Sequence, residues 1–285
     1  MSVRIICDSA SDILPEECPE GLTVVPLCVT FGGTSYRDGV DIKHQRFYEM
    51  LVESDELPVT GQVTPYEFSK AIEEVRAAGD EVVVLTMSSK LSGTYESARL
   101  AAREAGEGVY VVDSESVTVG ERILVELALR LVEEGKSARE VAAELEERKR
   151  DVRVVALLDT LEYLRKGGRI SAAASMAGAM LAIKPVIAIV DGEVQILGKA
   201  RGSKNGKNML NQNIEASGGI DFHQPLALGY TGLDCGLLEK YVEDSRSLWE
   251  ESVKSLLVYP VGAAIGTHVG PGAIALAYFC KGRAA

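Results

Sequence analysis

The strongest constraint on folding is an alternation that runs from the N-terminus to about residue 155. Short β-branched runs at Val3–Cys7, Thr23–Phe31, Glu81–Thr86 and Val109–Val112 are bounded by turn residues, which predicts strands. Helical periods separate and follow them at Phe47–Ser54, Pro65–Ala78, Gly93–Ala105, Gly120–Glu134 and Ala138–Arg150. Strands that alternate with helices build a parallel or mostly parallel sheet covered by helices. The fold class expected for residues 1–155 is therefore α/β.

After residue 155 the pattern changes. A short helix at Leu161–Lys166 ends at Gly167-Gly168, and Ser171 would cap a helix at Ala172–Ile183. The runs Val186–Val190 and Val194–Ala200 flank Asp191-Gly192, a hairpin signal. Further strands are expected at Leu226–Gly229, Ser255–Tyr259 and Ala273–Phe279, with a helix at Leu238–Leu248. Residues 156–285 read as a second, mixed α+β domain, packed closely on the first because no linker separates them. The cleft between such domains is a common ligand site.

Composition narrows the partners. A net charge of −12 disfavours nucleic acid and anionic membrane surfaces. The five cysteines are scattered and form no C-x-x-C pair, which fits reduced thiols rather than zinc or disulfides. No secretory n-region opens the chain, and no apolar stretch reaches the ~18–20 residues of a membrane span. A soluble, cytoplasmic protein, monomeric on its own, is the expectation.

Catalytic signatures are missing. Gly135-Lys136-Ser137 resembles the tail of a Walker A loop, but Arg130 occupies the first glycine position and no strand precedes it. There is no G-x-S-x-G, H-E-x-x-H or G-x-G-x-x-G, and His44, His223 and His268 show no ligand spacing. Asp8 with Asp12, and Asp38 with Asp41, read as caps or solvated groups more readily than as acid pairs.

Three polar loops stand out instead. "PVTGQVTP" (58–65) sets Thr60, Gly61 and Gln62 before a helix; "MSSKLSGTYESA" (87–98) leads from a strand to a helix that Ser92 would cap at Gly93; "GTHVGPG" (266–272) places His268 in a glycine-rich loop. A helix N-terminus with hydroxyls and an imidazole nearby suits a carboxylate or phosphate oxygen. Plain capping accounts for the same residues. The segment 171–183 is almost wholly apolar and small, so it is either tightly packed or leaves room for a long apolar ligand. Arg165, Lys166, Arg169, Lys199, Arg201, Lys204 and Lys207 form a basic cluster in an acidic chain, either a solvated face or a dock for an acidic or phosphate-carrying partner.

"DSASDI", "YRDGVDI", "TGQVTPYEF", "SSKLSGTYESA", "LEYLRKGGRIS", "IKPVIAIVDGEV" and "GTHVGPGAIALAYF", in that order, resemble the bacterial DegV family from Val3 to Lys281. The resemblance implies a two-domain α/β protein that binds one long-chain fatty acid and presents its carboxylate to a separate kinase subunit for acyl-phosphate formation. It implies no cofactor, and no catalytic motif in the carrier itself. By that similarity Thr60, Ser92 and His268 hold the carboxylate, with Gly93 assisting through its N–H. The acyl chain runs past 172–183, and Arg169 and Arg201 face the kinase. The chain departs from the family pattern at Gly61, where a serine is common, and in the less basic stretch after Arg201. The competing reading is a hydrolase or transferase that uses Ser92 and His268 on a small anionic substrate; a third is a regulatory protein that docks through its basic segment.

Overall fold

A computed structural model describes residues 2–54, 56–171, 183–249, 252–253 and 255–282. The first part of the chain forms β1 (Val3–Asp8), β2 (Leu22–Val25), β3 (Cys28–Phe31), β4 (Thr34–Arg37), α1 (His44–Glu53) and β5 (Val59–Gly61). Then come α2 (Pro65–Ala77), β6 (Glu81–Thr86), α3 (Thr94–Ala105), β7 (Val109–Asp113), α4 (Val119–Glu133) and α5 (Ala138–Arg148). The later part contains β8 (Val152–Leu157), α6 (Glu162–Lys166), β9 (Ile183–Val190), β10 (Glu193–Arg201) and α7 (Gly202–Ala216). It closes with β11 (Leu226–Tyr230), α8 (Gly236–Asp244), β12 (Val258–Pro260), α9 (Ala263–Val269) and β13 (Ile274–Phe279).

The fold is α/β, with a parallel N-terminal sheet and a mixed C-terminal one. The first sheet has the order β2-β1-β6-β7, parallel throughout. Its central strands carry the unbroken apolar runs Ile5–Cys7 and Val82–Leu85 because both faces are buried there. Ile6, Val82 and Val84 pack with Phe68 and Ile72 of α2 and Ala98 and Ala101 of α3. Their neighbours Ile5, Cys7, Val83 and Leu85 point the other way, onto Ile123 and Leu127 of α4 and Val141 and Leu145 of α5.

The second sheet has the order β10-β9-β8-β13-β11-β12, antiparallel except for β11–β12. Val155, Leu157, Leu276 and Tyr278 turn toward Leu210 and Ile214 of α7 and Leu238 and Tyr241 of α8. On the opposite face Val154, Ala227 and Ala277 join the α4 cluster. One helix thus contributes to the cores of both sheets. A small antiparallel sheet, β4-β3-β5, completes the fold. Among the described residues, no helix is long and apolar enough to cross a membrane.

Several expectations need correction. Thr23–Phe31 is not one strand: at Pro26 and Leu27 the chain leaves the parallel sheet for the small one. Proline has no ladder donor, and the Leu27 N–H is taken by Ser9 Oγ at 3.0 Å. "GSKNGKN" opens α7, a helix that the sequence pattern does not announce. Tertiary contact overrides poor propensity there, because Gly206 abuts the Leu157 side chain so closely that a Cβ would lie 2.4 Å from it. Lys207 leaves the basic cluster, since it is buried and paired with the Asp244 carboxylate. The expected strand at Ser255–Tyr259 is the shorter β12. The expected helix 172–183 falls on residues outside the described ones, apart from Ile183, which begins β9.

Three buried aspartates join the first sheet to the last helix. Asp8, at the end of β1, accepts from the N–H groups of Ala10 and Met87, each at 2.9 Å. Asp12 accepts from Gly262 N–H at 2.7 Å and from the Thr118 hydroxyl. Asp38 accepts from Ser9 Oγ (3.1 Å), Ala263 N–H (2.9 Å) and Ala264 N–H (3.2 Å), which caps α9. Burial outweighs these bonds and pushes the carboxyls up, to about 7 for Asp8 and Asp12 and about 6 for Asp38. By contrast Asp41 is exposed, paired with Arg37, and pushed down to about 2. A folded pKa above the unfolded one means stability is lost as pH rises from about 4 through the folded value. Asp38→Asn removes that dependence. Urea titrations should show the wild type losing roughly 2 kcal/mol relative to the variant between pH 4 and 6.5. A constant difference would show that folding does not raise the Asp38 pKa.

Candidate functional site

In the parallel sheet β1 lies between β2 and β6, so the connections leaving β1 and β6 diverge at their carboxyl ends. Such a switch point opens a crevice in doubly wound sheets. Here the loop 87–93 borders it. The cavity found there leaves about 210 Å³ accessible to the centre of a water molecule. Met87, Leu91, Val154, Ile187, Ile189 and Val261 are among its apolar walls. Thr60, Gln62, Ser92, Thr118, Arg169, Thr231 and His268 supply its polar side chains.

Four of the expected residues converge on this cavity: Thr60, Ser92, Gly93 and His268 all line it. Thr60 stands on β5, opposite Val29 of β3, and its Oγ1 lies 2.8 Å from His268 Nε2. His268 is in the last turn of α9, not in a loop; the helix continues through Val269 and ends at Gly270, whose φ is +74°. The imidazole is packed flat against α6: a Cβ on Gly167 would lie 2.2 Å from Nδ1. Nδ1 has no hydrogen-bond partner among the described residues. Burial, followed by the Arg169 cation, pushes His268 down to about 4, so the ring is neutral at pH 7.

Helix α3 begins at Thr94 with Gly93 at the cap position, one residue later than expected. Ser92 is therefore not the cap. Its Oγ accepts from Thr94 N–H at 3.3 Å and lies 2.9 Å from Thr94 Oγ1. The carboxamide of Gln62 covers Gly93, where a Cβ would meet Oε1 at 2.1 Å, and Gln62 Nε2 donates to Ser97 Oγ at 3.0 Å. Ser88 serves a different purpose: its Oγ donates to Gly192 O at 2.7 Å, tying the loop to the β9–β10 turn.

Arg169 also lines the cavity. It is half-buried, and its guanidinium donates to the carbonyls of Leu91 (3.1 and 3.2 Å) and Gly167 (2.6 Å). Arg201 stands apart, exposed at the end of β10 and outside the cavity. Gln62, Thr118 and Thr231 were missed as liners. Gln62 sits within a motif already singled out, whereas the other two are lone threonines whose placement depends on tertiary packing.

The geometry does not support a nucleophilic relay. His268 faces Thr60 rather than Ser92, and no carboxylate orients its Nδ1. Nor does any group of His, Cys, Asp or Glu among the described residues have metal-binding geometry.

Fold and site together define an α/β protein of two large sheets and one small one, with an apolar cavity headed by uncharged donors and one arginine. The chain belongs to the DegV family, which it matches over residues 2–281. It is 34% identical over 280 residues to a DegV domain-containing protein of Caldanaerobacter subterraneus subsp. tengcongensis, covering 95% of this chain and 96% of that one. A Thermus thermophilus DegV family protein, solved in a study of its fatty acid binding, superposes with a TM-score of 0.87 at 34% identity over 98% of this chain and 100% of that one. The Streptococcus pneumoniae fatty acid kinase (Fak) B3 protein, solved loaded with linoleic acid, shares the fold (TM-score 0.86, 99% and 100% covered) at 20% identity.

Because Gly167 holds the imidazole, Gly167→Ala should displace it. NMR titration should then show His268 rising from about 4 toward the ordinary histidine value as it gains water. An unshifted titration would mean that the Gly167 contact does not position the ring.

Proposed function

We propose that this protein binds one long-chain fatty acid in the cavity and presents the carboxylate, beside Thr60, Ser92, Gly93 and His268, to a kinase subunit that phosphorylates it. The observation that carries the reading is the cavity itself: a closely packed protein keeps a long apolar space whose polar head converges on a Thr60–His268 pair. Each methylene buried contributes about 0.8 kcal/mol, so the tail supplies most of the affinity. The head group then needs orientation more than strength. Hydroxyls and a neutral imidazole donate hydrogen bonds without locking the carboxylate into a buried ion pair. The fatty acid binding of the Thermus thermophilus relative supports the same ligand class.

On this reading residues 1–155 supply Thr60, Ser92 and Gly93, while residues 156–285 supply His268 and most of the acyl wall. Arg201 is exposed and would meet the partner together with Arg169, whose guanidinium is bonded to the Leu91 and Gly167 carbonyls. We place the carrier in the cytoplasm as a monomer that needs no cofactor and carries out no chemistry alone.

Mass spectrometry of the organic extract from purified protein should find fatty acid at one equivalent. The double variant Thr60→Val/Ser92→Ala should retain that lipid but form acyl-phosphate with a kinase subunit at least tenfold more slowly. Absence of lipid, with no uptake of added oleate or palmitate, refutes the carrier reading. An unchanged rate refutes the head-group assignment, and chromogenic ester turnover lost in Ser92→Ala would favour the hydrolase reading.

A further inference from the structure

The second sheet is unevenly filled on the face that carries the cavity. Register aligns Gly229 of β11 with Ala275 of β13, Ala275 with Ala156 of β8, and Ala156 with Ile187 of β9. All four residues line the cavity. Ala275 belongs to an interior strand, yet it is only half-buried, which sets the open space above it. The row on one side, Ala227, Ala277 and Val154, is covered by α4. On the other side Val269 of α9 packs with Ala273 and Leu158. The aligned row therefore floors a corridor of the cavity that crosses the strands at right angles, with Val154 lining one edge and Leu158 and Ala273 the other. Three strand spacings of ~4.8 Å make it about 14 Å long.

The corridor has a direction. The loop that carries Ser92 and Gly93 is fastened to the β9–β10 turn, through Ser88 to Gly192. Gly229 lies three strands away, where a Cβ would stand 3.1 Å from methyls of both Val119 and Val261. That end is closed by side chains on both flanks.

We propose that the acyl chain crosses the strands along this corridor with its methyl end at Gly229, and that Ala275 and Gly229 set the longest chain the protein accepts. This rests on the fatty-acid reading and adds a specificity determinant to it. A larger side chain at Ala275 divides the corridor, leaving the head-group end intact while removing the space beyond β8.

Calorimetric titration of delipidated full-length protein with dodecanoate and octadecanoate tests this. The wild type should bind octadecanoate at least tenfold more tightly than dodecanoate. In Ala275→Leu octadecanoate should weaken at least tenfold while dodecanoate stays within threefold. A second measurement needs no substitution: octadecanoate with a photoreactive diazirine at its terminal carbon should label Thr231, Val261 or Val119 of the wild type. An unaltered length preference in Ala275→Leu, or labelling of α6 or β10 instead, overturns the corridor while leaving fatty acid binding intact. A wild type that binds neither acid overturns the fatty-acid reading and the corridor with it.

Discussion

The structure depends on three carboxyl groups buried where the parallel sheet meets α9. Asp12 and Asp38 take the first N–H groups of that helix, and Asp8 takes the N–H of Met87, the first residue after β6. A short helix with Gly266 inside it has little reason to form on its own. Held at its N-terminus by side chains 225 and 250 positions earlier in the chain, it delivers His268 at its far end to Thr60. The same residues fix the start of the loop that carries Ser92. The head of the cavity is thus built by acids that never line it.

This arrangement explains what sequence reasoning reached and what it did not. The strands β1 and β6 are readable because burial on both faces demands apolar runs, here Ile5–Cys7 and Val82–Leu85. The helices α2, α4 and α5 followed from their periodicity. Helix α9 was read as a loop because its caps are remote and its glycines suggest flexibility; Gly266 is in fact required by the nearby rings of Phe47 and Tyr48, 2.5 Å from where a Cβ would stand. Helix α7 was missed for a related reason, since a glycine admitted by Leu157 looks from sequence like a break. The small sheet β4-β3-β5 uses strands of three and four residues, too short for a periodic signal.

For the site, residue types were readable and their division of labour was not. "MSSKLSGTYESA" offered several hydroxyls for one cap. The structure assigns Ser88 to the β9–β10 turn, leaves Ser92 at the cavity, and buries Thr94 and Ser97 against it and Gln62. Gly93 is needed because an amide side chain lies over it, a contact between residues 62 and 93 that no local pattern announces. Neutral donors are also consistent with the buried setting, since a desolvated imidazole stays uncharged.

Helix α4 carries a consequence of its own. Its residues belong to one apolar cluster with strands from both large sheets, so detaching one sheet from the other uncovers either α4 or the strand face that packs on it. A chain cut between the halves would present Ile123, Leu127 or their strand partners to water on whichever piece retained them. A shared cluster of this kind favours unfolding of the two halves together over independent melting.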